Sequence, residues 1–509
     1  MAEDSKISVE LLLGRGFFPK ELPPCFTTEA FARFAGQQAR LPAVRTTRPG
    51  IHNLARPGGQ RRRLHLPNPF NYAHLTKLIT DNWTRLERHF AKSTLTVSTP
   101  ILDVSELRAV KSKREGLELA KHRANVRTGG RFILRTDIAR FYGSIYTHSI
   151  PWALEGKAKA KAFRHGGFAN NLDVAVREMQ DGQTLGIPTG PDASFILSEI
   201  IATAVDQKLQ QAGISGMRYV DDYELIFPSR SAAEAGLAKL EQFLWDFELA
   251  INLRKTSIEE LPVDLDRRWT GELRQYPFRD EEEVSAEELI DYFGRAFALK
   301  AQNPHDPVLA YAVARLRTLE IEEWQLLQNL ISQCALAEHG AMEALVTHYF
   351  LNSDDAHGPA LDRVIANILE EDSVLALGTE VSWALWTAIW FKRRIASKLA
   401  KRLDGNPDPV VAILALHAKS LNLINRNVGF PIWASWMRAS SLFGPQWLLA
   451  YEADLKRWLP SAEKPNHVDS VPEFSLLKQA GISFFNGNID KPTRSLLHAV
   501  EDEEPSIFS

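Results

Sequence analysis

The hydrophobic pattern changes period along the chain, and the changes divide it. Between about residues 130 and 260, short apolar strands alternate with helical runs: Arg131-Phe132-Ile133-Leu134-Arg135 reads as a strand and Ala193 to Leu209 as a helix. Arg218 to Phe227, RYVDDYELIF, reads as strand, tight connection and strand. Period two puts Met217, Tyr219, Tyr223, Leu225 and Phe227 on one face, with Asp221 and Asp222 in the connection, where aspartate is an ordinary turn residue. This stretch predicts an α+β domain. Upstream, Pro19, Pro23, Pro24, Pro42, Pro49, Pro57, Gly58, Gly59, Pro67 and Pro69 predict an irregular N-terminal arm over 1–70, leading into a helix from about Asn71 to Phe90.

After about residue 285 the strand signals fade and helix starts recur: Asp306-Pro307, Gly358-Pro359, Asp408-Pro409 and Gly444-Pro445. Asp or Gly at the cap followed by Pro at the first helical position satisfies or omits the orphan N–H groups. The spacing, roughly fifty residues and then less, resembles stacked helical pairs of the HEAT type, although no side-chain signature repeats. Trp383, Trp386 and Trp390 fall three and four apart on one helix face, which predicts core packing rather than a base-stacking platform. The expected division is an arm over 1–70, an α+β domain over 71–280 and a helical domain over 281–509. The acidic end, Glu501-Asp502-Glu503-Glu504, reads as a solvated tail.

Composition narrows the class. With 509 residues, 45% apolar and 24% charged, the chain is long enough for two or three cored domains and is not disordered. Cys25 and Cys334 match no zinc or disulfide spacing and are expected as plain thiols of a reducing compartment. The acidic start, Met1 to Ser5, and the lack of an apolar run of spanning length predict a cytoplasmic protein without membrane association. A net charge of -3 does not advertise a nucleic-acid binder, but charge placement does. No Asp or Glu occurs from Ala30 to Thr80, where Arg33, Arg40, Arg45, Arg48, Arg56, Arg61, Arg62, Arg63 and Lys77 accumulate. A second basic tract runs from Arg108 through Lys111, Lys113, Arg114, Lys121, Arg123, Arg127 and Arg131 to Arg135. Both are expected to contact phosphates, the alternative being ordinary solvated surface.

The Asp-Asp hairpin is one of four ordered elements. LRTDIARFYGSI ends a strand at Asp137 and continues into Phe141 and Tyr142; QTLGIPTGPDAS makes a Gly186, Pro188, Gly190 turn into a helix; then come Asp221-Asp222 and AINLRKTSI, with Lys255 after a short apolar strand. An Asp pair alone is common, but this order resembles palm motifs A, B, C and D of the reverse transcriptases at every element. The resemblance implies reverse-transcriptase-type fingers and palm, followed by HEAT-like helical repeats. It also implies in-line nucleotidyl transfer, which needs two divalent ions roughly 3.5–4 Å apart. Hard Mg²⁺, or Mn²⁺ in its place, takes oxygen ligands. By resemblance Asp137 and Asp221 bridge the ions, Asp222 is a further ligand or supports them, and Ile138 joins the metal and nucleotide contacts. Lys255 neutralises or protonates leaving pyrophosphate, unless it is a solvated strand-end lysine. Phe141, Tyr142, Gly186, Pro188, Thr189 and Gly190, with Arg123 and Arg127, are the implied nucleotide contacts. Tyr142, five residues after Asp137, stands where the family sets an aromatic ring against the sugar, which implies deoxynucleotides; otherwise it packs the palm. Thr189 departs from the Pro-Gln-Gly of many template-copying enzymes.

Gly16 to Pro24 (GFFPKELPP), Phe141 to Lys157 (FYGSIYTHSIPWALEGK), Thr189 and the helical C-terminal part look like the bacterial abortive-infection and defence-associated reverse transcriptases. Retron enzymes are less similar, since no Asn-Ala-x-x-His precedes the palm and no Val-Thr-Gly follows it. The resemblance implies anti-phage DNA synthesis from dNTPs, primed on a protein hydroxyl and leaving single-stranded DNA covalently attached. It also implies a homo-oligomer, a trimer or hexamer. Tyr72, Tyr146, Tyr311, Tyr349, Tyr451 or an early serine could prime. The alternatives are template-directed copying of a dedicated non-coding RNA, and a catalytically idle palm used as a scaffold.

Overall fold

A computed structural model describes residues 7–38, 41–42, 45–57, 60–103, 108–163, 166–279, 283–317, 319–351, 359–373, 375 and 377–488. The start Met1 to Ser5, Arg40, Gly58, Gly59, Gly358 and the acidic end lie outside them. The chain divides into two compact units: residues 1–20, 27–49 and 65–265 form one, and residues 21–26, 50–64 and 266–509 the other.

The first unit is built on a four-stranded antiparallel sheet of β1 (Phe132–Asp137), β2 (Ser215–Tyr219), β3 (Asp222–Phe227) and β4 (Ser257–Glu260), in the order β2-β3-β1-β4. Its register corrects the expected face. Tyr219 pairs with Asp222, Arg218 with Tyr223 and Met217 with Glu224, so Val220 and Asp221 are the whole connection. Directly paired residues share a face. Met217 and Tyr219 therefore lie with Asp222 and Glu224, packed with Val97, Leu119 and Val126. Tyr223, Leu225 and Phe227 lie on the other face. A period-two count carried straight through the turn had merged the two sets, because it treated the connection as strand.

Tyr223, Leu225 and Phe227 meet helices. Helix α1 (Asp192–Gln211) buries Ile196, Leu197, Ile200, Ile201 and Val205 and packs against the helices Trp83–Phe90, Ser149–Glu155 and Arg230–Trp245. Gly236 in the last of these leaves the room that the Phe227 ring occupies. The segment read as an irregular arm holds the helices Val9–Arg15 and Glu29–Gln37 and the strand pair Gly50–Arg56 with Gln60–Leu66. These helices are too short for their period to stand out among prolines, and three consecutive arginines hide the second strand. The helix expected from Asn71 to Phe90 is two helices, Pro69–Asp81 and Trp83–Phe90, meeting at Asn82.

In the second unit, helix Pro359–Glu371 packs on Gly378–Trp390, which packs on Pro409–Ser420, which packs on Trp447–Leu455. Asp408 caps its helix as the sequence predicts, its side chain accepting from Val410 N–H with Pro409 at the first turn. Pro307 precedes Val308–Arg315 without a side-chain cap, and Gly444-Pro445 ends short of Trp447. Trp383 and Trp386 are core residues. No helix among the described residues is long and apolar enough to cross a membrane, and Cys25 and Cys334 are buried free thiols.

Candidate active site

Asp137 closes β1 directly opposite Asp222 at the start of β3, and Asp221 immediately precedes it in the connection. The three carboxylates thus come together through strand register rather than through any local sequence pattern. Backbone bonds brace the end of β1: Ile138 N–H donates to Asp221 O at 3.2 Å and Asn252 N–H to Asp137 O at 2.8 Å. The Ile138 side chain is buried, so only its main chain can face a ligand.

Asp137 is nearly enclosed at 5% exposure. One of its oxygens, Oδ2, accepts from Lys255 Nζ at 2.6 Å, and Oδ1 is buried with no hydrogen-bond partner. Lys255 sits in the tight turn Leu253–Lys255 and precedes β4; the expected apolar strand before it is reduced to a bridge between Ile251 and Ile138, and the strand that follows the lysine is mostly polar. Burial works to lower the Lys255 pKa, but the hydrogen bond and charge of Asp137, then Asp222 and Asp221, raise it above the ordinary value. Desolvation, reinforced by Asp222 and Asp137 and only partly offset by Lys255, pushes the Asp221 carboxyl up to about 7. Three crowded carboxylates and an orphaned buried oxygen fit a divalent cation, the species that would relieve both. Among the described residues no group of three or more His, Cys, Asp or Glu stands ready to hold a metal ion, and Asp137 Oδ2 carries the Lys255 ammonium.

The Gly-Pro-Gly loop lies against the residues after Asp137. Gly186 (φ 85°) donates its N–H to Ile145 O, and Ile187 N–H donates to Tyr142 O at 2.9 Å. Tyr142 is part-exposed, whereas Phe141 is buried beside it with ring centroids 5.6 Å apart. Pro188 O accepts from Ser194 Oγ, and Gly190 (φ 114°) offers its carbonyl to Arg108. Thr189 N–H donates to His65 Nδ1 at 2.9 Å, and His65 N–H donates to Thr189 O at 2.8 Å. The main chain at Thr189 is therefore gripped by a histidine that no sequence motif had singled out.

Arg123 and Arg127 do not line this loop. Both are buried; they reach Glu224 at 2.8 and 3.0 Å and donate to the carbonyls of Leu265, Val263 and Asp264. Their expected role in nucleotide binding is not one these positions support, because the guanidiniums are committed to neutralising a carboxylate inside the unit. Much of the same basic tract is paired likewise, Arg108 with Asp192, Lys111 with Asp103 and Arg131 with Glu260. Sequence reading also missed Ser98, Glu199 and Asp206, which hold the residues around the hairpin; short polar residues carry no period to mark them.

No curated protein matches the chain. Among solved structures it is similar to telomerase from Candida tropicalis in complex with a TWJ fragment of telomeric RNA, at 12% identity and a TM-score of 0.30, covering 75% of this chain and 66% of that one. The family described as reverse transcriptase (RNA-dependent DNA polymerase) matches residues 62–293, a span that holds all four motifs. The segment carrying Asp137, Asp221 and Asp222 is thus a reverse transcriptase domain, a nucleotidyltransferase of the RNA-directed DNA polymerase type.

Proposed function

We propose that this protein is a metal-dependent DNA polymerase of bacterial anti-phage defence, of the abortive-infection kind, that builds untemplated or low-complexity DNA from dNTPs on a hydroxyl of its own. The observation that carries nucleotidyl transfer is the direct pairing of Asp137 with Asp222, with Asp221 adjacent and Lys255 bonded to Asp137. Asp137, Asp221 and Asp222, with the main chain of Ile138, would hold Mg²⁺, or Mn²⁺ in its place. When bound, a pair of such ions activates the attacking hydroxyl and carries the charge of the triphosphate and leaving pyrophosphate. Lys255 restrains the Asp137 carboxylate and stands ready beside the phosphates. Tyr142 meets the sugar and favours deoxynucleotides. Gly186, Pro188, Thr189 and Gly190 present main chain to the nucleotide, close approach being what glycines at positive φ permit.

Thr189 in place of glutamine supports synthesis without ordinary template reading. Of the tyrosines open as primers, Tyr72, Tyr311, Tyr349 and Tyr451 are buried and Tyr146 is part-exposed near the loop, which favours Tyr146. The successive packing of helices in the second unit supports HEAT-type pairs; the homo-oligomer, a trimer or hexamer, rests on the family resemblance alone. Buried free thiols suit the cytoplasm. A second reading, copying of a dedicated non-coding RNA, is favoured by the RNA-dependent character of the matched family.

The test is incubation of purified protein with Mg²⁺ and each labelled dNTP separately, without template or primer, followed by a denaturing gel with Asp221→Ala alongside. Label moving with the protein and lost in the variant is expected. Incorporation that is lost when the purified protein is treated with ribonuclease beforehand would replace the first reading with the second. Synthesis retained by Asp221→Ala would remove both.

A further inference from the structure

The connection that carries the paired aspartates is held by two side chains, Ser98 outside the four motifs and Arg218 at the start of the hairpin itself. Val220 has φ 54°, in the left-handed region, where a β-branched residue is strained. Its N–H donates to Ser98 Oγ at 2.8 Å, and its carbonyl accepts from Arg218 Nη1 at 2.8 Å. Ser98 and Arg218 are both fully buried. Arg218 is itself fixed, donating to Glu199 at 2.8 and 3.0 Å and to Asp206 at 2.7 and 3.0 Å, while Asp206 also accepts from Ser93 Oγ and Tyr223 Oη. Ser98 is fixed by its neighbours: Val97 N–H donates to Arg218 O at 2.9 Å, and Arg218 N–H donates to Leu95 O at 2.8 Å.

Resting on the reading of the site given above, we infer that Ser98 and Arg218 are positioning residues for the aspartates. Together they fix both peptide planes that flank Val220, and the second of these planes carries the Asp221 N–H. Left alone, Val220 would relax toward negative φ and turn Asp221 away from Asp137. The clamp holds the strained turn and so keeps Asp221 and Asp222 aimed at the place where the cations bind. The Ser98 hydroxyl also lies 3.5 Å from Thr96 Oγ1, its shorter contact being the one to Val220.

The experiment compares full-length protein, Ser98→Ala, and the double variant Ser98→Ala/Val220→Asn. Asparagine enters the left-handed region readily, which makes the clamp redundant. Amide hydrogen exchange over residues 217–224 and Mn²⁺ binding by electron paramagnetic resonance are read beside nucleotide incorporation. In Ser98→Ala the Val220 amide should exchange about five-fold faster and Mn²⁺ should bind about five-fold more weakly, the worth of one ordinary hydrogen bond. The Michaelis constant for dNTP should stay within about two-fold, because uniform nucleotide contacts are untouched. Val220→Asn should restore Mn²⁺ affinity, while the amide of residue 220, which still lacks its acceptor, goes on exchanging fast. Unchanged exchange and affinity in Ser98→Ala, or a double variant that binds Mn²⁺ no better than the single one, would overturn the clamp. Should Ser98→Ala not fold, Ser98→Cys keeps the volume with a weaker acceptor and should fall between. Wild-type protein whose Mn²⁺ binding does not depend on Asp221 would instead overturn the reading of the site, and the exchange data would still decide the clamp.

Discussion

Tyr142 and Tyr72 share a side chain and have opposite surroundings. Tyr142 is part-exposed next to the Gly186 loop, with its carbonyl held by Ile187. If its ring excludes the 2′-hydroxyl, Tyr142→Ala should raise ribonucleotide use relative to deoxynucleotide use by on the order of tenfold or more. Parallel incorporation of labelled rNTP and dNTP reads this directly, and an unchanged ratio would leave the ring a packing residue. Tyr72 is buried and stacked on Phe17, its hydroxyl donating to Gly16 O at 2.6 Å, and burial raises its pKa far above the ordinary phenol value. The same hydroxyl accepts from Ala193 N–H at 3.4 Å, so Tyr72→Phe should cost about 1–3 kcal/mol of stability through two lost hydrogen bonds and leave any covalent labelling intact. A folded Tyr72→Phe protein that no longer takes label would make Tyr72 the primer.

At the scale of elements, what could be read beforehand was what repeats locally. The strand ending at Asp137, the helix from Asp192 and the hairpin each declare themselves within ten or so residues through alternation or glycine and proline. The grips on them do not, because they cross long stretches of chain: Ser98 and Val220 are 122 residues apart, and Thr189 and His65 are 124 apart. The same holds for charge: Glu224, the partner of Arg123 and Arg127, lies on a strand far along the chain, so the pairing is not legible in the basic tract itself. Arg127→Gln should accordingly lower stability by about 3 kcal/mol, the usual result of breaking a buried pair. It should leave the salt dependence of nucleic-acid binding unchanged, where a phosphate contact would reduce the slope by about one. Thermal unfolding and binding at several salt concentrations separate the two. Gly236→Ala tests the packing of the sheet face instead: its Cβ would lie 2.2 Å from the Phe227 ring. The variant should lose about 1–3 kcal/mol to overpacking, despite the gain in helix propensity, as denaturant unfolding would show.

For the molecule as a whole, pH should act on stability through a group of the second unit. Glu452 is fully buried in the second unit, its carboxyl oxygens accepting from Phe484 N–H at 2.6 Å and Ser483 Oγ at 2.9 Å. Desolvation outweighs those bonds and pushes its carboxyl up to about 7. Between the ordinary value and that one, the folded chain holds a proton that the unfolded chain has released, so stability falls as pH rises and stays reduced above about 7. Glu452→Gln removes this dependence. It should stabilise the protein at pH 8 by on the order of 3–4 kcal/mol, at about 1.4 kcal/mol per pKa unit, and make little difference below about pH 4.5. Melting curves of both proteins across that range decide it; parallel curves would show that Glu452 titrates normally.

The two-residue connection between Tyr219 and Asp222 also bears on how such a chain can change over time. Because Tyr219 and Asp222 are directly paired, insertion or deletion of a single residue there would exchange the faces of every residue in β3. Glu224 would leave its arginines for the apolar side, Tyr223 and Phe227 would turn outward, and Asp222 would part from Asp137. Length changes at this point are therefore lethal to the site, whatever residue is added, while substitutions at Val220 need only tolerate a positive φ. A library of single-codon insertions and deletions across residues 210–235 should show no functional survivor between 219 and 222, although point variants of Val220 to Gly or Asn persist.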